Sequence, residues 1–232
     1  MQDRDIIALV LVYAIIAVTF LVAKHLERKG SRIDIRKVIH IGVGNFVFVW
    51  WMFTESWVML AFFTVPFAII LFLAMMKDNA ISRSELGEIS NSGHKTGLFF
   101  YAITITILVL LFRDHWTAAS IGVAAMTYGD GFGSVIGRRF GRRKLREGKS
   151  LEGTLAVFAM TAVVSMAIVL FFGYLASIGA YPAGSYGGIV PAPVACVCAG
   201  GVACLVEALC SGSYDNLAVP LSTALVMVLL GL

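Results

Sequence analysis

The sequence predicts an all-α, polytopic transmembrane bundle of about eight (seven to eight) spans, with both termini outside. Three observations predict it. Of 232 residues, 59% are hydrophobic and 14% charged, against roughly 25% charge in a soluble domain. The apolar residues are gathered into blocks close to the ~20-residue length that crosses a bilayer. The Lys and Arg residues are gathered into loops that fall on one side if every block is a crossing.

The first block, Ile6 to Ala23, carries no charge. Asp3-Arg4-Asp5 is not a basic leader and no small-residue cleavage site precedes Lys24, so the block is expected to be a retained helix. Val38–Phe53 is short for a span and is expected to be tilted or half-inserted. Trp57–Met76 and Thr96–Phe112 follow. Trp116–Ile136 contains Asp130 and several glycines and is a candidate for interruption. Thr154–Ser177, Ile189–Leu209 and Asn216–Leu232 complete the set. Gly179–Pro193 reads as a simple connection. The chain is read as one domain over residues 1–232, without linker, low-complexity tract or internal repeat.

Of 18 Lys and Arg residues, all but Arg4 and Arg113 lie in the segments Lys24–Lys37, Lys77–Lys95 and Arg138–Lys149. Short basic loops stay cytoplasmic. The loops at 24–37, 77–95, 137–153 and 210–215 are therefore expected inside and the termini outside. Trp50, Trp51, Trp57 and Trp116 then fall near outer boundaries, as interfacial aromatics do. Basic residues on a membrane surface without interleaved aromatics do not describe a nucleic-acid partner. The cysteines Cys196, Cys198, Cys204 and Cys210 crowd one apolar block and read as small packing residues.

The chemistry-bearing stretch runs from Tyr128 to Gly153. Gly133, Gly137 and Gly141 are four apart, so on a helix they form one bare face. That face permits close helix packing or close approach of a ligand. Seven cations within Arg138–Lys149 follow, then Lys149-Ser150-Leu151-Glu152-Gly153. An acid at a membrane boundary, a glycine-rich backbone and a cation cluster suit a nucleotide. Phosphates want Arg, Lys and backbone N–H groups, and the accompanying metal wants one or two carboxylates. The soluble P-loop pattern is absent.

Asp130 carries the most weight, because a carboxylate in a span costs about 2.5–3.5 kcal/mol to insert. The plain alternative is an Asp solvated at the interface. Glu207, near the end of another span, has no structural excuse of that kind. Asp215, followed by Asn216, opens the last span and reads either as a helix cap or as a functional acid. His40 shares a helical face with Lys37. Its alternative is a hydrogen-bonded interfacial histidine. Glu85, Glu88, Asn91 and His94 belong to a polar inner loop, and Glu85 and Glu88 read mainly as solvated carboxylates. His25 and His115 carry no functional expectation.

These segments resemble the CTP-dependent lipid kinase family of dolichol, phytol and yeast-type diacylglycerol kinases, which is related to the phosphatidate cytidylyltransferases. The resemblance runs through R-K-V-I-H at Arg36–His40, G-D-G-F-G-S-V-I-G-R-R-F-G at Gly129–Gly141, K-S-L-E-G-T at Lys149–Thr154 and E-A-L-C-S-G-S-Y-D-N-L-A-V-P at Glu207–Pro220. The chain departs from dolichol kinases at Gly133, where Ala is common, and at Ser150, where Thr is commoner. Gly148 stands where some members have a second Lys.

The resemblance implies that residues 137–153 form a cytoplasmic nucleotide-binding loop and that the γ-phosphoryl of CTP passes to a lipid hydroxyl, with Mg²⁺ as cofactor. It points to Asp130, Gly137, Gly141, Lys149, Glu152 and Gly153. With their neighbours, the expected nucleotide-binding set is Gly129, Gly133, Gly137, Arg138, Arg139, Gly141, Arg142, Lys149, Ser150, Glu152, Gly153 and Asn216. Arg143 is a further candidate to neutralise phosphate. The expected catalytic set is Asp130, Lys149, Glu207, Asp215 and His40. Asp130 and Asp215 are the expected metal ligands, and Glu207 or Asp130 orients the hydroxyl.

The acceptor is expected to be an isoprenoid alcohol of the membrane (phytol, geranylgeraniol, a polyprenol) or diacylglycerol. Two other readings stay open at this point. One is a cytidylyltransferase that moves CMP onto a lipid phosphate. The other is a transporter or non-catalytic membrane protein, since intramembrane acids also mark ion pathways. Short loops and the lack of a targeting signal suggest a prokaryotic plasma membrane.

Overall fold

The computed structural model describes residues 2–30, 34–84, 86–88, 96–145, 148–181 and 188–232. Glu85, Asn91, His94 and Arg146 lie outside them. The described residues are helical and contain no strand. They group into two compact units, one formed by Met1–Leu111 with Gly212–Leu217 and the other by Phe112–Ser211 with Ala218–Leu232.

In the first unit, α1 spans Asp3–Arg28, α2 Ile35–Gly44, α3 Ser56–Met75 and α4 Gly97–Leu111. Asp5 is fully buried. Its carboxylate accepts from the Gln2 amide at 2.7 Å, the Thr54 amide at 2.7 Å and the Thr54 hydroxyl at 2.8 Å. Those bonds satisfy the first turn of α1 and tie it to the chain just before α3. A Cβ added at Gly42 would run into the Thr19 side chain, so α1 and α2 touch there. In α3 a wide π turn, Leu60–Thr64, ends two residues before Pro66. Proline has no amide hydrogen to give to the helical ladder, a recognised cause of such breaks.

Trp50 packs into the protein interior beyond the end of α2. It is fully buried, edge-on to Phe46 at 5.2 Å. The short 3₁₀ turns Asn45–Phe48 and Trp50–Met52 that continue α2 rotate it inward. Trp57 stays half exposed, as an interfacial aromatic can.

In the second unit, α5 spans Trp116–Ala124, a π turn Ala125–Asp130 follows, and α6 spans Gly131–Phe140. The segment that sequence marked for interruption is therefore widened by a π turn that ends on Asp130. The unit is completed by α7, Leu151–Ser177, and α8, Ala192–Leu209. The helix α9, Asp215–Leu229, begins in the first unit and continues in the second. Small residues set the spacing in the second unit. A Cβ at Gly200 of α8 would stand 2.6 Å from the Phe158 carbonyl of α7, and one at Gly122 of α5 would stand 2.5 Å from the Pro220 carbonyl of α9. Ala125, Val157, Ala203 and Val219 form a core between these helices.

Large apolar side chains stay uncovered on the long helices: Leu21 is 69% exposed, Leu170 65% and Leu209 75%. Left in water, each forgoes about 1.5–3 kcal/mol of burial. Against lipid there is no such loss. The chain is a helical membrane protein.

Among the described residues, four helices are long and apolar enough to cross a bilayer: Asp3–Arg28, Ser56–Met75, Leu151–Ser177 and Ala192–Leu209. This is fewer than the expected eight. Helices α4 and α9 have 15 residues each and rise roughly 22 Å, short of the ~30 Å hydrocarbon layer. Among the described residues, helix length by itself thus carries four crossings.

Candidate functional site

Most of the expected site falls in the second unit, around the turn from α6 into α7. A Cβ at Gly129 would meet Thr161, and one at Gly133 would meet Val157 and, at 3.1 Å, the Gly153 carbonyl. One at Gly137 would stand 3.0 Å from the Ser150 hydroxyl, and one at Gly141 would stand 2.5 Å from it. The bare face of α6 is therefore filled by α7. Gly153 is the reciprocal position, where a Cβ would stand 2.9 Å from the Gly133 carbonyl. Glycine on both helices lets the backbones touch, as small-residue motifs do in membranes.

Between the helices the chain makes a narrow excursion. Leu145 N–H donates to the Lys149 carbonyl at 2.8 Å and Leu151 N–H to the Arg143 carbonyl at 2.9 Å. Gly148, at φ +79°, takes the left-handed turn that this excursion needs. Ser150 is buried and caps α7, its hydroxyl accepting from the Gly153 amide at 3.2 Å. The Glu152 carboxylate accepts from the amides of Arg142 at 3.1 Å and Arg143 at 3.3 Å. An acid in the first turn of a helix is also favoured by the helix dipole. The K-S-L-E-G sequence thus folds as cap, staple and contact glycine.

Lys149 reaches across to the end of α8. Its ammonium lies 2.9 Å from Glu207 Oε1, with side-chain exposures of 17% and 10%, and it also donates to the Glu207 carbonyl. The other carboxylate oxygen, Oε2, accepts from the Thr154 hydroxyl at 3.3 Å. Removing one partner of a buried pair like this costs about 3–5 kcal/mol, because the other charge is stranded. Asp130 is buried at the junction of the π turn and α6. Such turns recur at functional sites. Arg138 and Arg139 occupy the last turn of α6, where cations suit the dipole. With Arg142 and Arg143 they are exposed.

His40, Asp215 and Asn216 belong to the first unit. His40 is buried, its ring 4.4 Å from that of Tyr101. The Tyr101 hydroxyl donates to the His40 carbonyl at 3.1 Å. The same residues wall an apolar crevice with Phe20, Phe63, Phe67 and Leu71. Asp215 is the first residue of α9, and its carboxylate accepts from the Asn216 amide at 2.8 Å. Asn216 is buried; its carbonyl accepts from the Thr104 hydroxyl at 2.8 Å. Its side-chain Oδ1 has no hydrogen-bond partner among the described residues.

Among the described residues, no three His, Cys, Asp or Glu side chains come together as a metal cage. A Mg²⁺ carried by a nucleotide needs one or two carboxylates besides the phosphates. The buried Asp130 is a donor of that kind. Sequence reasoning missed Thr154. It stands one turn above Ser150, at i+4, so it shares the cap's helical face, but its partner is 53 residues away.

The chain is 29% identical over 200 residues to the phytol kinase of Synechocystis sp., which covers 82% of this chain and 76% of that protein. It is 31% identical over 209 residues to a probable chloroplastic phytol kinase of Triticum aestivum, covering 84% of this chain and 66% of the relative. A chloroplastic farnesol kinase of Arabidopsis thaliana is 28% identical over 160 residues, 62% of this chain and 51% of its own length. The chain thus spans about three quarters of the Synechocystis protein, 66% of the wheat protein and about half of the Arabidopsis one. No family model and no solved structure matches it.

Proposed function

We propose that this chain, which belongs to the polyprenol and phytol kinase family, phosphorylates an isoprenoid alcohol of the membrane, with CTP as donor. The observation that carries the reading is the similarity, over most of the chain, to relatives named for phytol and farnesol. The lipid hydroxyl oxygen forms a bond to the γ-phosphorus while the bond to the β–γ bridging oxygen breaks. A lipid monophosphate and CDP result, and the hydroxyl proton passes to a carboxylate. Phosphoryl transfer asks the protein for positioning and charge neutralisation more than for covalent chemistry.

Each part of the site has a role in this reading. Lys149 neutralises phosphate charge, joined by Arg138, Arg139, Arg142 and Arg143. The tight α6–α7 contact through Gly129, Gly133, Gly137, Gly141 and Gly153 sets where that loop stands, and Ser150 and Glu152 hold its shape. Asp130 would hold Mg²⁺, with Asp215 as the second proposed ligand; the ion supplies charge neutralisation at the transferring phosphoryl group. Asp130 or Glu207 orients the hydroxyl. His40 and Asn216 are further contacts in the proposal. The basic loops and the site face the cytoplasm, in an eight-crossing arrangement with both termini outside. The Lys and Arg distribution supports that sidedness.

The test uses purified protein, Mg²⁺ and a panel of lipid alcohols, with CTP labelled at the γ- or the α-phosphate. The reading expects label in lipid from the γ position alone. Label from neither position overturns it, and α-label moving onto a lipid phosphate would make the protein a cytidylyltransferase. Replacing the donor by ATP checks the choice of nucleotide. Asp130→Asn is expected to lower kcat by about a hundred- to a thousandfold with the protein still inserted. Turnover like wild type in that variant removes Asp130 from the site.

A further inference from the structure

We infer that Glu207 and Thr154 are positioning residues that fix the Lys149 ammonium for the nucleotide phosphates. The inference rests on the reading of Lys149 as a phosphate-holding residue and narrows the roles around it.

Lysine ends in a point charge on a flexible four-carbon stem. A lysine that binds phosphate well needs its head held before the ligand arrives, because ordering a long side chain at that moment weakens binding. Here the head is held twice from one residue, by Glu207 Oε1 at 2.9 Å and by the Glu207 carbonyl. The carboxylate is held in turn, because its second oxygen takes the Thr154 hydroxyl at 3.3 Å. With one oxygen on the ammonium and the other on the hydroxyl, the carboxylate plane cannot turn.

The arrangement also explains the choice of residues. A threonine inside a helix commonly returns its hydroxyl to the carbonyl four residues back. In this helix the Ser150 carbonyl receives the Thr154 amide at 2.9 Å, while the Thr154 hydroxyl is directed to Glu207 on α8. Thr154 thus couples the capped start of α7, where Lys149 is anchored, to the end of α8.

The experiment compares wild type, Thr154→Val and Thr154→Ser as full chains in detergent, with CTP, Mg²⁺ and geranylgeraniol. Valine keeps the shape and removes the donor; serine keeps the donor. In Thr154→Val the KM for nucleotide is expected to rise about tenfold while kcat falls less than about threefold and the KM for the alcohol is unchanged. Thr154→Ser restores the nucleotide KM. An unchanged nucleotide KM in Thr154→Val, or an equal rise in both KM values, overturns the inference.

A second readout needs no turnover. Acylation of Lys149 by an amine-reactive ester, followed by peptide mass spectrometry, should be about fivefold faster in Thr154→Val and in Glu207→Gln than in wild type. If wild type phosphorylates no alcohol, the proposed function falls, and the labelling alone decides whether Thr154 and Glu207 hold Lys149. Equal labelling in all three proteins overturns the inference.

Discussion

Asp5 and Glu207 are both nearly invisible to solvent, yet their surroundings assign them different work. Asp5 is surrounded by neutral donors, the Gln2 amide and the Thr54 amide and hydroxyl. It joins two chain segments, and its loss is a stability matter. Asp5→Ala removes the buried acceptor shared by the Gln2 amide and the Thr54 amide and hydroxyl and is expected to destabilise the protein by about 1–3 kcal/mol, read as a lowered unfolding midpoint in detergent. Catalysis at the temperature where the variant is folded should be retained. Glu207 faces the Lys149 ammonium of the expected nucleotide loop and the Thr154 hydroxyl just beyond that loop. Ser150→Ala removes the α7 cap and should cost about 1 kcal/mol by the same midpoint measurement, with Ser150→Thr close to wild type. Asp130 and Glu207 could be picked out from the sequence, since an acid in an apolar block needs a reason. Thr154 could not, because a threonine in a span has a plain local use and nothing local names its partner.

At the level of elements, the contact of α6 with α7 decides the site. The glycine spacing on α6 was legible as a bare face, with two possible uses. The structure fills that face with α7, and the matching glycine on α7 is Gly153. Gly133→Leu would drive a side chain into Val157 and the Gly153 carbonyl, so the helices must part. Overpacking of this kind typically costs about 1–3 kcal/mol, and the loop carrying Lys149 would move with it. Near-complete loss of activity in folded, membrane-inserted protein is the expected result. Gly173, also on α7, has open space where its Cβ would stand. Gly173→Ala should leave activity unchanged and raise stability by up to about 1 kcal/mol through helix propensity. If both variants behaved alike, packing at the α6–α7 contact would not be what matters.

For the molecule as a whole, the topology has the most direct test. Asp114 lies before α5 and Lys144 lies after α6, and both are exposed. If the segment from α5 to α6 crosses the bilayer, single cysteines at the two positions in a cysteine-free background will be labelled from opposite sides of sealed vesicles. Lys144→Cys is expected to react from the cytoplasmic side and Asp114→Cys from the other. Labelling of both from one side would remove a crossing from the proposed eight.

The sequence by itself determined that this is a helical membrane protein, because composition and block length speak directly to the solvent that a chain requires. It also supplied the motifs through which the chain resembles the CTP-dependent lipid kinases, because those are runs of neighbouring residues. Only the tertiary structure decided that Trp50 turns inward, that α7 fills the glycine face of α6, and that Lys149, Glu207 and Thr154 form one hydrogen-bonded group. The last two depend on residues from separate segments of the chain. Hydropathy and spacing describe one segment at a time, and which side chain meets which is settled only when the segments pack.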